Sequence, residues 1–185
     1  LQKKNKYRYS TIYIAAGNRC AGTWLKEILI HVLDGYSGYH PYTTGPNGGN
    51  FDMSVRIAKH IHKKLYVICS HTPPKYANKR IMDEYLIKYI ATIRDPRDVV
   101  VSLYYHIKKY PCGPTSLWDY GIERNLPWPT LSRSILSLDK SEIISILIER
   151  LMPSVIEFIE GWVNYSLENN NVFIVKYEDL KLNTC

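Results

Sequence analysis

The segment Gly17-Asn18-Arg19-Cys20-Ala21-Gly22-Thr23-Trp24 sets an arginine between two glycines. Where such a run joins a strand to a helix, its backbone N–H groups and the helix N-terminus converge on an anion. The spacing follows the Walker A pattern G-x-x-x-x-G-K-[ST], but Thr23 stands at the lysine position and Trp24 at the magnesium-binding hydroxyl. A phosphate cradle without magnesium is the chemistry left, with Arg19 supplying charge and Thr23 a hydroxyl. The same residues also suit a tight turn with no ligand. Arg94 precedes Asp95-Pro96, and Ser102 follows six residues after the proline. On a helix that starts at Pro96, Ser102 lies about 9 Å along the axis. A forward-reaching guanidinium and that hydroxyl can then grip one phosphate from two sides. A local ion pair of Arg94 with Asp95 or Asp98 is the plainer alternative. His71, just before Thr72-Pro73-Pro74, has the type and place of a general base. A loop histidine without catalytic duty has the same local signature.

The elements that must position these residues follow from periodicity. Residues 11–16 (TIYIAA) predict a short buried strand. The pattern turns helical from Thr23, with Leu25, Ile28, Leu29, Val32 and Leu33 on one face, and Asp34-Gly35 stops it. Residues 35–50, rich in glycine, proline and tyrosine, read as a binding loop. A helix is expected over 52–62 and strands over 65–69 and 88–93. Asp95 is an N-cap with Pro96 at the first helical position, and Val99, Leu103 and Ile107 form that helix's inner stripe. Residues 111–130, with four prolines and two tryptophans, read as a lid or second binding loop. Residues 139–169 predict a helix interrupted near Pro153, and Val172–Lys176 a last strand. Alternating strands and helices imply a three-layer α/β/α domain around a central parallel sheet. In such sheets ligands bind beyond the carboxyl ends of the strands. The 17–22 turn, His71, Arg94 and Tyr177 each follow a different strand, so four strand ends point at one edge.

Composition bounds the rest. The 185 residues, 45% hydrophobic and 22% charged, describe one globular domain rather than a disordered chain. No apolar run reaches the roughly 20 residues of a membrane span, so no integral membrane segment is expected. The net charge of +7 includes Lys3, Lys4, Lys6 and Arg8 in a basic tail over residues 1–9. With no zinc-finger, homeodomain or RNA-binding signature, an anionic small ligand is preferred over nucleic acid. Cys20, Cys69, Cys112 and Cys185 form no C-x-x-C pair, which suits reduced thiols in a cytoplasmic-type compartment. His60 and His62 form an H-x-H, which alone makes no metal site. The chain begins at Leu1, which leaves room for a removed N-terminal signal or anchor.

Taken together, these segments resemble the PAPS-dependent sulfotransferases. Arg19-Cys20-Ala21-Gly22-Thr23-Trp24 resembles that family's 5′-phosphosulfate loop, [KR]-S-G-T-T-W. Arg94-Asp95-Pro96-Arg97-Asp98 through Ser102-Leu103-Tyr104-Tyr105 resembles its 3′-phosphate segment, with the Arg-to-Ser spacing kept. Ser70-His71-Thr72-Pro73 is similar to the T-H-x-P around the catalytic histidine, and Tyr177-Glu178-Asp179-Leu180 to Y-E-D-[LM]. Cys20 and Ala21 replace the usual Ser and Gly, and Cys69 stands where cytosolic members often carry lysine. The resemblance implies a P-loop-like fold and transfer of a sulfuryl group from PAPS to a hydroxyl or amine of a small-molecule, sugar or lipid acceptor. It implies His71 as base, Arg19 as charge stabiliser, and Arg94 with Ser102 on the 3′-phosphate. The adenine would lie by Trp24 with Tyr177 on its other side; no metal is required, and a homodimer is allowed. It also implies that a basic, glycine-containing loop closing over the 3′-phosphate follows after residue 180, beyond this chain. A PAP-binding module without turnover and, less favoured, a magnesium-dependent kinase are the alternatives.

Overall fold

The computed structural model describes residues 11–33, 36–37, 52–61, 66–85, 89–111 and 131–182. Residues 1–10, most of the 35–50 loop, His62, residues 112–130 and residues 183–185 lie outside that set. Five strands form one sheet: β1 (Thr11–Ala16), β2 (Tyr36–Ser37), β3 (Tyr66–Ser70), β4 (Tyr89–Ile93) and β5 (Val172–Lys176). Their order is β2-β3-β1-β4-β5 and every neighbouring pair is parallel. All carboxyl ends therefore share one edge, as the pattern predicted. The two-residue edge strand β2 was not anticipated inside the glycine-rich loop.

The helices are α1 (Gly22–Leu33), α2 (Val55–Ile61), α3 (Tyr76–Tyr85), α4 (Pro96–Lys109), α5 (Lys140–Glu168) and α6 (Tyr177–Leu182), with a 3₁₀ turn at Arg133–Ser137. Alternation along β1 sorts its side chains to two faces. Tyr13 and Ala15 pack with Ile68, Tyr89, Met82, Phe158 and Trp162, which adds α3 and α5 to that face. Ile14 and Ala16 pack on the other face with Val67 and Leu25 of α1, with Leu180 of α6 alongside. A third core holds no strand residue. Val99, Val100, Leu103 and Ile107 of α4 meet Ile143, Leu147, Leu151 and Val155 of α5, with Ile135 and Cys20 added. Cys20, in the turn after β1, is the link between this helical core and the sheet edge.

Local chemistry explains the element ends. The Asp95 side chain accepts from the Arg97 backbone N–H, with Pro96 opening α4 as predicted. Asp139 and Glu142 form a reciprocal capping box at the start of α5. The expected interruption at Pro153 does not occur: α5 runs unbroken through it. Proline removes the N–H that would bond to Glu149. Both residues are exposed, so that carbonyl is not left in the interior without a partner, while Leu151, Met152 and Val155 stay buried on the opposite face.

Candidate active site

The turn after β1 is built for close approach. The Gly17 N–H donates to the Thr92 carbonyl over 3.0 Å, pinning the turn to the end of β4. Arg19 and Ala21 have φ of 60° and 58°, both left-handed. Left-handed residues between right-handed ones aim successive N–H groups into one concavity. Gly22 opens α1 against β1 and β3: a Cβ there would lie 2.4 Å from the Ala16 Cβ and 2.8 Å from the Cys69 Sγ. The first turn of α1 carries no acidic residue, so its N-terminal field faces outward unopposed. Thr23 and Trp24 are exposed on that turn.

Cys20 contributes backbone only. Its thiol is 1% exposed and donates to the Asn18 carbonyl. Burial pushes its pKa up to about 12, so it carries no charge into the cradle. Burial likewise pushes Cys69 up to about 11.

The turn and α4 meet through both predicted arginines. Arg19 Nε donates to Ser102 Oγ over 3.1 Å, and Arg94 Nη1 donates to the Arg19 carbonyl over 3.2 Å. The Arg94 guanidinium lies 4.0 Å from the centre of the Tyr177 ring and 3.8 Å from an Asp98 carboxylate oxygen. Asp95, the other proposed partner of Arg94, pairs instead with Arg97 at 2.5 Å, and hydrogen bonds from Arg97 hold its carboxyl down at about 2. The Arg94 Nε is buried without a hydrogen-bond partner among the described residues. Arg19, Arg94, Asp98, Ser102 and Tyr177 line a cleft of about 650 Å³ at the sheet's carboxyl edge. The Asp95 N–H donates to Glu178, so the start of α6 is tied to the start of α4 and Tyr177 is fixed at the cleft wall. Trp24 is not among the residues that line it.

His71 sits beside the turn. Its Nδ1 lies 2.8 Å from the carbonyl of Ala16, the last residue of β1. A carbonyl only accepts, so Nδ1 carries the hydrogen and Nε2 the lone pair. Burial lowers the histidine's pKa below its usual value, partly offset by that backbone bond. Neutral imidazole with an accepting Nε2 is the form a general base requires. The segment after His71 is clamped from three elements. Thr72 Oγ1 meets the Tyr13 hydroxyl at 2.5 Å, the Trp162 indole donates to the Thr72 carbonyl, and Asn78 donates to the Pro73 carbonyl.

Comparison with known proteins was decisive at the level of family. The sequence profile described as "Sulfotransferase domain" matches residues 10–185. The chain belongs to the sulfotransferase family. Among solved structures, the fold is similar to mouse sulfotransferase SULT7A1 complexed with PAP, at a TM-score of 0.57 and 18% identity. That match covers 95% of this chain and 54% of the mouse protein, so the chain spans about half its length. No curated protein matches the sequence.

For this sulfotransferase domain, Arg19, Arg94, Ser102 and Tyr177 converge on one cleft, and the backbone of Cys20, Ala21 and Gly22 with Thr23 forms the adjoining turn. His71 is placed at the same sheet edge but does not line this cleft. Among the lining residues that sequence reasoning did not single out as site residues, Tyr105, His106 and Lys109 extend the wall along α4 beyond Ser102. Their signal was present. They follow Ser102 at helical spacings of three, four and seven, the face that the Arg94–Ser102 pairing already turned toward the ligand.

Proposed function

We propose that this chain transfers a sulfuryl group from PAPS to a hydroxyl or amine of a small acceptor. The observation that carries the reading is the linked set Arg94–Arg19–Ser102, which joins the strand-end cradle to α4 in one cationic cleft. The fit to PAPS is good. The left-handed turn with the N-terminus of α1 suits the 5′-phosphosulfate, and the buried, unpartnered Arg94 Nε offers a donor toward the 3′-phosphate. Thr23 and Trp24 replace the lysine and hydroxyl that a magnesium-nucleotide site uses, so the charge comes from Arg19, Arg94 and the helix end. Free Cys20 and Cys69 suit a reducing, cytoplasmic-type compartment.

In this reading the acceptor oxygen or nitrogen forms a bond to sulfur as the sulfur–oxygen bond to the 5′-phosphate breaks. The bonding pair leaves with the phosphate oxygen, giving PAP, and the acceptor's proton passes to His71 Nε2. Arg19 and the turn's N–H groups stabilise charge growing on the leaving oxygen, which is electrostatic preorganisation. Calorimetry tests the assignment. PAP should bind far more tightly than AMP or Mg-ATP, and Arg94→Ala should weaken PAP by about 2–5 kcal/mol because a phosphate charge loses its partner. Equal PAP affinity of that variant, or a wild-type preference for Mg-ATP, defeats the proposal. PAP binding without sulfation of any acceptor would mark a binding module instead.

A further inference from the structure

The wall that α4 gives the cleft continues past Ser102. His106 follows it by one helical turn and Lys109 by about two, on the stripe that Arg19 meets through its bond to Ser102. The His106 ring is half-buried and packs on Tyr110 with ring centres 5.2 Å apart. Its nitrogens make no hydrogen bond among the described residues. We propose that His106 is a phosphate-binding residue of this cleft, which meets a phosphate of PAPS or PAP as the imidazolium, so that binding takes up a proton from solvent. The inference rests on the sulfotransferase reading and deepens it: it adds one group to the nucleotide site and one proton to the binding equilibrium.

Three observations carry it. The first is charge balance. Among the described residues that line the cleft, the cations are Arg19 from the turn, Arg94 just after β4, and Lys109 of α4. The carboxylate is Asp98, 3.8 Å from Arg94. These leave a net of two positive charges. A nucleotide with two phosphate monoesters brings about three to four negative charges. The other titratable lining groups, Tyr105 and Tyr110 of α4 and Tyr177 of α6, are phenols and cannot become cations. Lys108 is turned away, bonded to the Leu136 carbonyl. His106 is thus the lining group that can supply a further positive charge near neutrality. The second observation is position. His106 belongs to the last turn of α4, where the carbonyl end of the helix favours a cation. The third is the state without ligand. Burial, and then the Arg19 guanidinium, lower the pKa of His106 below its usual value, so the empty cleft holds it neutral at pH 7. A bound phosphate offsets the Arg19 field and draws the proton on. No covalent bond to the ligand changes.

The test follows His106 itself. In NMR titrations of its imidazole signals, the midpoint in the free protein should lie below the ordinary histidine value. Saturating PAP should raise that midpoint by about one unit or more, which is roughly a tenfold linkage between proton and ligand. Calorimetry at pH 7 in PIPES and in Tris, which differ in their heats of ionisation, counts the protons. Wild type should take up more than His106→Gln. The second ionisations of the ligand's own phosphates, near pH 6, are common to both proteins and cancel in the difference. A proton taken up on binding means an affinity that falls as pH rises. The affinity advantage of wild type over His106→Gln should therefore be roughly five- to tenfold larger at pH 6 than at pH 8. His106→Lys, a cation at both values, should bind PAP at pH 8 at least as tightly as wild type, without the extra uptake. An unmoved His106 midpoint in a protein that binds PAP, or equal proton counts in wild type and His106→Gln, would overturn the inference and leave the sulfotransferase reading standing. Inorganic pyrophosphate separates the converse. If it raises the midpoint while PAP fails to bind, His106 is upheld as a phosphate-binding residue and the sulfotransferase reading falls. Binding of neither ligand overturns both.

Discussion

At the scale of the residue, the proposed function puts most weight on His71, whose tautomer suits it to act as a base. The bond from Nδ1 to the Ala16 carbonyl fixes the hydrogen on that nitrogen and leaves Nε2 able to accept a proton. Burial holds the imidazole neutral at pH values where a free histidine, with a pKa of about 6.5, begins to charge. Turnover should therefore fall on acidification, with its midpoint below the ordinary histidine value; an acid limb at or above it would point to a different base. The same shift bears on stability. Below about pH 6.5 the unfolded chain takes up a proton that the folded chain resists, so stability is full above that value and declines as pH falls toward the lower folded-state pKa. His71→Ala should lower turnover by about 10²–10⁴-fold and leave PAP affinity unchanged, since the ring lies outside the phosphate cleft. Rate assays beside PAP titrations separate the two, and unchanged turnover would remove His71 from the mechanism. The histidine itself was legible in the sequence, from its place between a strand and two prolines. Its tautomer was not, because the carbonyl that sets it lies 55 residues away along the chain.

At the scale of the element, the turn stores strain in order to aim its N–H groups. Ala21 holds a left-handed conformation that costs a residue with a Cβ roughly 1–2 kcal/mol. Ala21→Gly removes that cost and loses about 0.4–1 kcal/mol through a more flexible unfolded chain. The variant should be more stable by about 0.5–1 kcal/mol in urea titrations, with PAP affinity equal or better. A loss of stability would show that the alanine methyl packs more favourably than its backbone is strained. β1, β3, β4, β5, α1 and α4 were readable because each has a clear period and a clear stop signal. α3 was not read: YANKRIMDEY is polar overall, with Asn78 and Met82 its buried residues. Its contribution is made by hydrogen bonds instead. Asn78 holds the Pro73 and Met53 backbones and the Asp52 carboxylate, and Asp83 gathers Tyr89, Tyr165 and Asn169. Most of these partners lie 25 to 86 residues away in sequence and leave no local pattern.

At the scale of the whole molecule, α5 couples the parts of the site. Its 29 residues span about 44 Å. Its first half packs on α4 in the helical core, while Phe158 and Trp162 belong to the sheet core. Pro153 lies close to where one set gives way to the other: Leu151, Met152 and Val155 belong to the helical core, and Phe158 is the next buried residue, in the sheet core. A proline inside a long predicted helix reads locally as a break, and sequence alone could not show that two separate cores hold the helix together across it. The consequence is measurable. Proline in a helix interior is about 3 kcal/mol less favourable than alanine, and alanine gives back part of this, about 0.4–1 kcal/mol, through the looser unfolded chain. Pro153 is exposed, so Pro153→Ala buries nothing new, and its added N–H can bond to the Glu149 carbonyl. The variant should unfold in one transition and be more stable by about 2–2.6 kcal/mol in urea, with fluorescence and circular dichroism coinciding because α5 ties both cores together. PAP affinity, which the proposed function assigns to the turn and α4, should stay constant. A less stable variant would mean that the hydrogen bond regained at this exposed position does not offset the looser unfolded chain. Separate transitions for the two probes would mean that the cores fold independently and that α5 does not couple them.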